Sequence, residues 1–423
     1  MKVAELVKKL NTGLLDGCLI SLYGADDLSF QKERYIRVCK KFEEIFGNNH
    51  DVVFFSSPGR CEIIGNHTDH NKGKVIAASI DRDNIALAAR DSGEKIQICS
   101  TKNNRISTTV NAPKREFCTS SSYVEGVARG FINNGYNAGG FLAVTDSNLS
   151  FGMGLSASAS FEILIGKILS YFYNEDRVSN LSLSVIGRFA ETEYCKKPCG
   201  LMDQLACSNG GMISIDFKES EPGVEPIDFS FNDFGYKAFI INSDSSHSEL
   251  TRYYSEITRE MALVSALLGV DFLRRSNKDT VISNMEKLRK LAGDRAVLRA
   301  LHYFDENERV EEAKKAMKSE NIDKLLSLID LSGRSSVTAL QNIFVFDNVK
   351  SQAISCVLTL LQTFFANKKG ACRIHGGGFG GSVFIVIKEE YCAELTKLLK
   401  TAFPKSEYIN FKIRKTGVCT VGL

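Results

Sequence analysis

The chain is expected to fold as an α+β protein of two layered domains. Three observations predict this. Its 423 residues are enough to build two hydrophobic cores. Strand-like and helix-like apolar patterns alternate in both halves instead of segregating. A polar stretch near the middle, Asp216–Pro226 (DFKESEPGVEP), holds two of the six prolines and divides residues 1–215 from 216–423.

The elements follow in order. Residues 1–45 read as helical, because Leu6, Leu10 and Leu14, then Tyr35, Val38, Phe42 and Ile45, recur at helical spacing. Val52–Ser56 and Val75–Arg90 are rich in β-branched and small apolar residues and read as strands, with the polar loop Gly65–Lys74 between them. Phe141–Thr145 is a short strand that enters a glycine/serine loop. From Ser158 to Tyr173, Phe161, Leu164, Ile165, Ile168, Leu169 and Phe172 mark a helix. Strand, glycine loop, helix is the order that aims helix N-terminal amides at an anion. Past the boundary, Tyr236–Asn242 reads as a strand and Ser248–Leu268 as a helix. Helical patterns run on to about Phe365, and strand signals return at Ser382–Ile387 and Phe411–Val421.

Composition excludes several classes of partner. Hydrophobic residues are 43% and charged residues 24%, ordinary for a globular protein, and the net charge of +3 is too small to argue for nucleic acid or an anionic membrane. No stretch approaches the roughly 18 apolar residues of a membrane span. The start, MKVAELVKKLNTG, lacks an apolar signal-peptide core, so the cytoplasm is expected. Twelve cysteines show neither a C-x-x-C pair nor a regular framework, and free thiols in a reducing compartment are expected. Oligomeric state is not legible.

Three segments carry chemistry: GRCEIIGNHTDHNKG (Gly59–Gly73), SFGMGLSASAS (Ser150–Ser160) and RIHGGGFGGS (Arg373–Ser382). No Gly-Lys-Ser or Gly-Lys-Thr follows a spaced glycine, so none is a Walker loop. In the second, Gly152 and Gly154 let backbone approach a ligand closely, while Ser156, Ser158 and Ser160 add hydroxyls and successive amides can nest phosphate oxygens. Alone, it can also be read as a flexible turn with a serine-capped helix. In the first, Asn66, His67, Asp69 and Asn71 supply the donors and acceptors that a hexose demands. His67, Asp69 and His70 could also be read as a transition-metal site, although no separated third ligand presents itself. Between the second and third segments, AETEYCKKPCGLMDQ offers Glu191, Glu193 and Asp203 as carboxylates. Read alone, Glu191 is a solvated helix-face carboxylate and Arg60 a surface arginine. Asp203 lies in a largely uncharged setting, where a charge more often has a task.

Taken together, the segments resemble the GHMP small-molecule kinases, and the first resembles the galactokinase signature Gly-Arg-x-Asn-x-Ile-Gly-Glu-His-Thr-Asp-Tyr-Asn-x-Gly. Gly59, Arg60, Ile64, Gly65, His67, Thr68, Asp69, Asn71 and Gly73 match it. Glu62 stands in place of Asn, Asn66 in place of the Glu that meets the sugar 6-hydroxyl, and His70 in place of Tyr. In the second segment Ser150 replaces the usual Pro and Ala157 the middle Ser.

The resemblance implies a ribosomal-protein-S5-like N-terminal domain, a ferredoxin-like C-terminal domain, and ATP with a small-molecule sugar in the cleft between them. It implies ATP-dependent phosphorylation of galactose at the anomeric hydroxyl. Asp203 would accept or orient the hydroxyl proton, and Arg60 would meet the transferring phosphoryl group. Ser158 and Glu191 would hold Mg²⁺. Gly152, Gly154, Leu155, Ser156, Ser158, Ala159 and Ser160 would cradle the nucleotide phosphates, with Tyr123 near the adenine. Asn66, His67, Asp69, Gly200 and Tyr254 would contact the sugar. A kinase for galacturonate, N-acetylgalactosamine or L-arabinose is the alternative. A galactose-sensing regulator on the same scaffold is a third possibility, and the full-length serine loop argues against it.

Overall fold

A computed structural model describes residues 1–150, 152–197, 199–243 and 251–422. Two sheets organise them. The first runs β12-β1-β2-β5-β3-β4, with β6 beside β2 and β7 beside β6. Its strands are β1 (Val52–Ile64), β2 (Lys74–Arg90), β3 (Lys95–Ser100), β4 (Arg105–Thr109), β5 (Phe141–Ser147), β6 (Met212–Asp216), β7 (Gly223–Ile227) and β12 (Cys419–Val421). The second is antiparallel, in the order β11-β8-β10-β9, built from β8 (Tyr236–Asn242), β9 (Gly370–His375), β10 (Ser382–Lys388) and β11 (Tyr408–Phe411).

Helices cover both faces of the first sheet. Val53, Phe55, Ala86, Ala88, Phe141 and Ala143 face α4 (Ser120–Asn133), α5 (Ala157–Tyr173) and α6 (Asn180–Phe189). The alternate residues Val52, Phe54, Ile85, Leu87, Leu142 and Val144 face α1 (Val3–Asn11), α2 (Asp16–Tyr23) and α3 (Leu28–Phe46). Burial on both sides is why these strands read as near-continuous apolar runs. The second sheet repeats the device. Ala238 and Ile240 pack toward the first sheet, whereas Phe239 and Ile241 pack on helices Ala353–Phe365 and Cys392–Ala402. One apolar cluster, from Cys61, Ile63 and Ile76 to Ile240, Val310 and Phe384, joins the two sheets. The α+β two-domain class is therefore as expected.

Several details differ from the sequence expectation. β1 runs eight residues beyond Ser56, because the register with β2 shifts between Pro58 and Arg60 and pairing then resumes. Proline is tolerated at such a bulge. Leu14 keeps the helical spacing but falls in the turn after α1 and is 72% exposed. The helix expected over Ser248–Leu268 is observed from Thr251 to Leu267, and residues 248–250 lie outside the described set. Phe411–Val421 is two short strands in different sheets, not one. β7 pairs with β6, so the first sheet extends to Ile227. The C-terminal strand then returns to β1. Cys118 and Cys195 form a disulfide, against the expectation of free thiols only. α4 packs so tightly on the 190–194 turn that a Cβ on Gly126 would lie 2.6 Å from that of Ala190, and this brings together two residues 77 apart. No helix among the described residues is long and apolar enough to cross a membrane.

Candidate active site

Arg60 projects from the bulge of β1. A bulge re-aims a side chain, and here the guanidinium forks onto Asp203, Nε to Oδ1 at 2.8 Å and Nη2 to Oδ2 at 2.7 Å. Its Nη1 donates to the carbonyl of Gly154. Asp203 lies in the first turn of α7 (Met202–Asn209), where a carboxylate also complements the helix dipole. Ser156, in left-handed conformation (φ 57°) at the start of α5, donates its hydroxyl to Asp203 Oδ2. Three segments distant in sequence thus meet at one carboxylate. Burial pushes the Asp203 pKa up, but Arg60 and the Ser156 hydroxyl outweigh it and hold the group below the usual carboxylate range.

The phosphate-loop expectations divide. Gly152 and Gly154 have φ of 81° and 67°. A Cβ on Gly154 would sit 3.1 Å from His375 Nδ1, so the loop packs directly on the third glycine segment. The Leu155 carbonyl receives the Arg60 amide at 3.1 Å, while the Leu155 and Ala159 side chains are core residues. Ser160 departs from the expectation. Its hydroxyl donates to the Ser57 carbonyl at 2.7 Å and accepts from Asn84 at 3.0 Å, and its amide is used within α5. It is turned into the core: Ser156 stands outside the helix in left-handed conformation, so its side chain does not share the face that residue 160 presents to Ser57 and Asn84. Ser158 Oγ reaches Glu191 Oε1 at 3.2 Å. Lys197 Nζ meets the same oxygen, and Gln204 Nε2 binds Glu191 Oε2 and Glu162 Oε2, each at 3.0 Å. Half-buried Tyr123 faces this group. Burial raises its pKa, which Lys197 lowers and Glu191 raises.

On the sugar side, Gly200 and Asp69 are in intimate contact: a Cβ at 200 would lie 1.7 Å from Asp69 Oδ2, so only glycine fits. Burial lifts Asp69 to about 6, with Glu62 and Asp203 adding to the shift. Burial lowers His67 to about 4, so it is neutral near pH 7. Its Nε2 lies 2.8 Å from the Gly377 carbonyl and must carry the proton, which leaves Nδ1 as an acceptor. Tyr254 packs on Gly377, where a Cβ would lie 2.3 Å from the ring, and donates to the Gly378 carbonyl at 2.9 Å.

Asn66 does not present a free amide. Its Nδ2 donates to Glu62 Oε1 at 3.1 Å and to the Gly376 carbonyl at 2.7 Å, and its Oδ1 accepts from Asn342 at 2.9 Å. Glu62 Oε1 in turn accepts from fully buried Arg373 at 2.6 Å. The carboxylate and amide exchanged relative to the galactokinase signature are hydrogen-bonded to each other here. Sequence reasoning did not single out Lys197, Gln204, Arg373, Asn342 or His375. Only Gln204, adjacent to Asp203, and His375, within the glycine segment, carried a local signal. Arg373 and Lys197 lie within quoted segments, but their partners, like those of Asn342, are shown only by the fold.

The fold and this constellation define a GHMP-type small-molecule kinase: phosphate loop at a helix start, facing carboxylate and arginine, polar loop opposite. The "Galactokinase galactose-binding signature" matches residues 40–90 and the "GHMP kinases N terminal domain" residues 122–211. A galactokinase of Glaesserella parasuis is 30% identical over 376 residues, 86% of this chain and 92% of that one. One from Thermosipho africanus is 28% identical over 366 residues, 85% and 95% of the two chains. Among solved structures, Lactococcus lactis galactokinase complexed with galactose is similar with a TM-score of 0.76 at 24% identity, covering 90% of this chain and 98% of that one. Methanococcus jannaschii mevalonate kinase follows at 0.60 and 17%, covering 86% and 98%. The chain belongs to the galactokinase family.

Proposed function

We propose that the chain transfers the γ-phosphoryl group of ATP to the anomeric hydroxyl of galactose, giving galactose 1-phosphate and ADP. The convergence of Arg60 and Ser156 on Asp203 carries this proposal. Phosphoryl transfer demands positioning and charge stabilisation more than covalent chemistry, and here one carboxylate is tied to both the sugar-loop strand and the phosphate loop. Asp203, kept ionised by Arg60, orients the sugar hydroxyl and receives its proton as the new bond forms. Arg60 has a delocalised charge and a third nitrogen on the loop carbonyl of Gly154, and it is placed to meet the charge developing on the phosphoryl oxygens. Loop amides from Gly152 to Ser158 cradle the phosphates, and Tyr123 borders the adenine. His67, Asp69, Gly200 and Tyr254 line the sugar side, in the cytoplasm, where ATP is supplied.

Ser158 and Glu191 suit Mg²⁺, since their oxygens are hard donors 3.2 Å apart and the ion takes few protein ligands beside phosphate and water. When bound, the ion neutralises phosphate charge. The exchange of carboxylate and amide between positions 62 and 66 is the observation favouring another hexose, so the test is a panel. ADP release is measured with galactose, galacturonate, N-acetylgalactosamine, L-arabinose and no sugar. Galactose giving the highest kcat/KM supports the proposal. A different best sugar replaces it with the other kinase, and no sugar-dependent ADP release replaces it with a sensor.

A further inference from the structure

Glu191 is only 3% exposed in its side chain, and buried Glu162 lies across Gln204 from it. Such a pair of carboxylates demands a cation. Among the described residues the cation paired with Glu191 is Lys197, whose Nζ sits on Oε1, the oxygen that Ser158 Oγ also reaches. An ammonium group therefore sits on the Glu191 oxygen that Ser158 also reaches, the oxygen that a divalent metal held by this pair would take. Its stem is different in kind from that of Arg60. The Lys197 side chain is 57% exposed and held by one contact, whereas Arg60 is 8% exposed and forked onto Asp203. A flexible four-carbon stem with a point charge can leave by rotation, and a planar guanidinium bound twice cannot.

We infer that Lys197 is a resident cation that holds the metal position while the site carries no divalent ion, and that it is displaced when one enters. This rests on Ser158 and Glu191 as the metal-binding pair. Lys197 is a positioning residue: it holds the Glu191 carboxylate in place and competes with the metal for it.

The test titrates Mn²⁺ into the full-length chain, with and without saturating ADP, and reads bound ion by electron paramagnetic resonance. Lys197→Met and Lys197→Gln are expected to bind Mn²⁺ about three- to tenfold more tightly than the wild type, the scale of a partly exposed ion pair lost as competitor. Lys197→Arg, which keeps the charge, is expected to bind it as the wild type does. A merely structural lysine would give weaker binding or no change, and either result in both uncharged variants overturns the inference. Thermal melting of each variant with and without Mn²⁺ guards against misfolding, and Lys197→Gln retains a donor to Glu191 should Lys197→Met fail to fold. Wild-type affinity in Glu191→Gln is a distinct outcome. It would overturn the metal assignment itself, and with it this inference.

Discussion

Replacing Asn66 by Glu restores the residue of the galactokinase signature, yet it should damage this protein. Two amide donors are lost, one to the Gly376 carbonyl at 2.7 Å and one to Glu62 at 3.1 Å. A buried carbonyl left without its donor costs about 1–3 kcal/mol. The incoming carboxylate also faces that of Glu62, and two like charges about 4 Å apart repel by about 4 kcal/mol at an effective dielectric of 20. Arg373 already serves Glu62 and relieves only part of this. The expected loss is roughly 3–5 kcal/mol, a large share of an ordinary domain's stability. The double exchange Glu62→Asn/Asn66→Glu returns one carboxylate and one amide, and should recover roughly 2–3 kcal/mol of that loss as a coupling energy. Urea unfolding of the wild type, both single variants and the double variant at pH 7 measures it. Should Asn66→Glu lie within 1 kcal/mol of the wild type, or the double variant be no more stable than the two single changes predict, positions 62 and 66 are not partners.

Three further outcomes are expected. Asp203→Asn should keep nucleotide and sugar binding while kcat falls by a factor on the order of 10²–10⁴; a rate within threefold of the wild type removes Asp203 from the reaction. Asp69, lifted to about 6 by burial, holds its proton more tightly folded than unfolded, so stability present below about pH 4 is lost as pH rises toward 6. Asp69→Asn should accordingly be more stable than the wild type by roughly 2–3 kcal/mol at pH 7 and about equal at pH 4, and thermal or urea melts whose gap does not change between these pH values contradict it. Finally, alkylation of the denatured, unreduced chain should label ten of the twelve cysteines, leaving Cys118 and Cys195; labelling of all twelve means the pair is reduced.

What the sequence disclosed depended on how local each interaction is. Strands buried on both faces announced themselves as apolar runs, and the start of α5 followed from its glycine loop. Arg60, Ser156, Ser158, Glu191 and Asp203 were legible because each lies in a compact segment whose chemistry resembles a known family. The inward turn of Ser160 was not, since it depends on which face of α5 meets Ser57 and Asn84. Nor were the partners of Asn66, because Asn342 and Gly376 approach from far along the chain. Lys197 was not singled out for the same reason: only the fold sets it against Glu191. β7 was not read as a strand, because its short, largely polar sequence at the sheet's edge carries little apolar signal.

The return of β12 to β1 bears on how the protein is made. Arg414 is buried against Asp83 and Ser56, at 3.0 and 2.7 Å, and shares Asp83 with Arg34 of α3. The backbone around it fills space that Gly210 leaves open, where a Cβ would lie 2.2 Å from the Gly417 nitrogen. During synthesis the first layer therefore emerges before residues 414–421 and waits for them, with a buried aspartate short of one counterion and β1 short of a neighbour. The second sheet, made meanwhile, folds against an unfinished partner. Domains that normally complete in order from the N-terminus are here interlocked, and the N-terminal half has no independent finished state to fall back on.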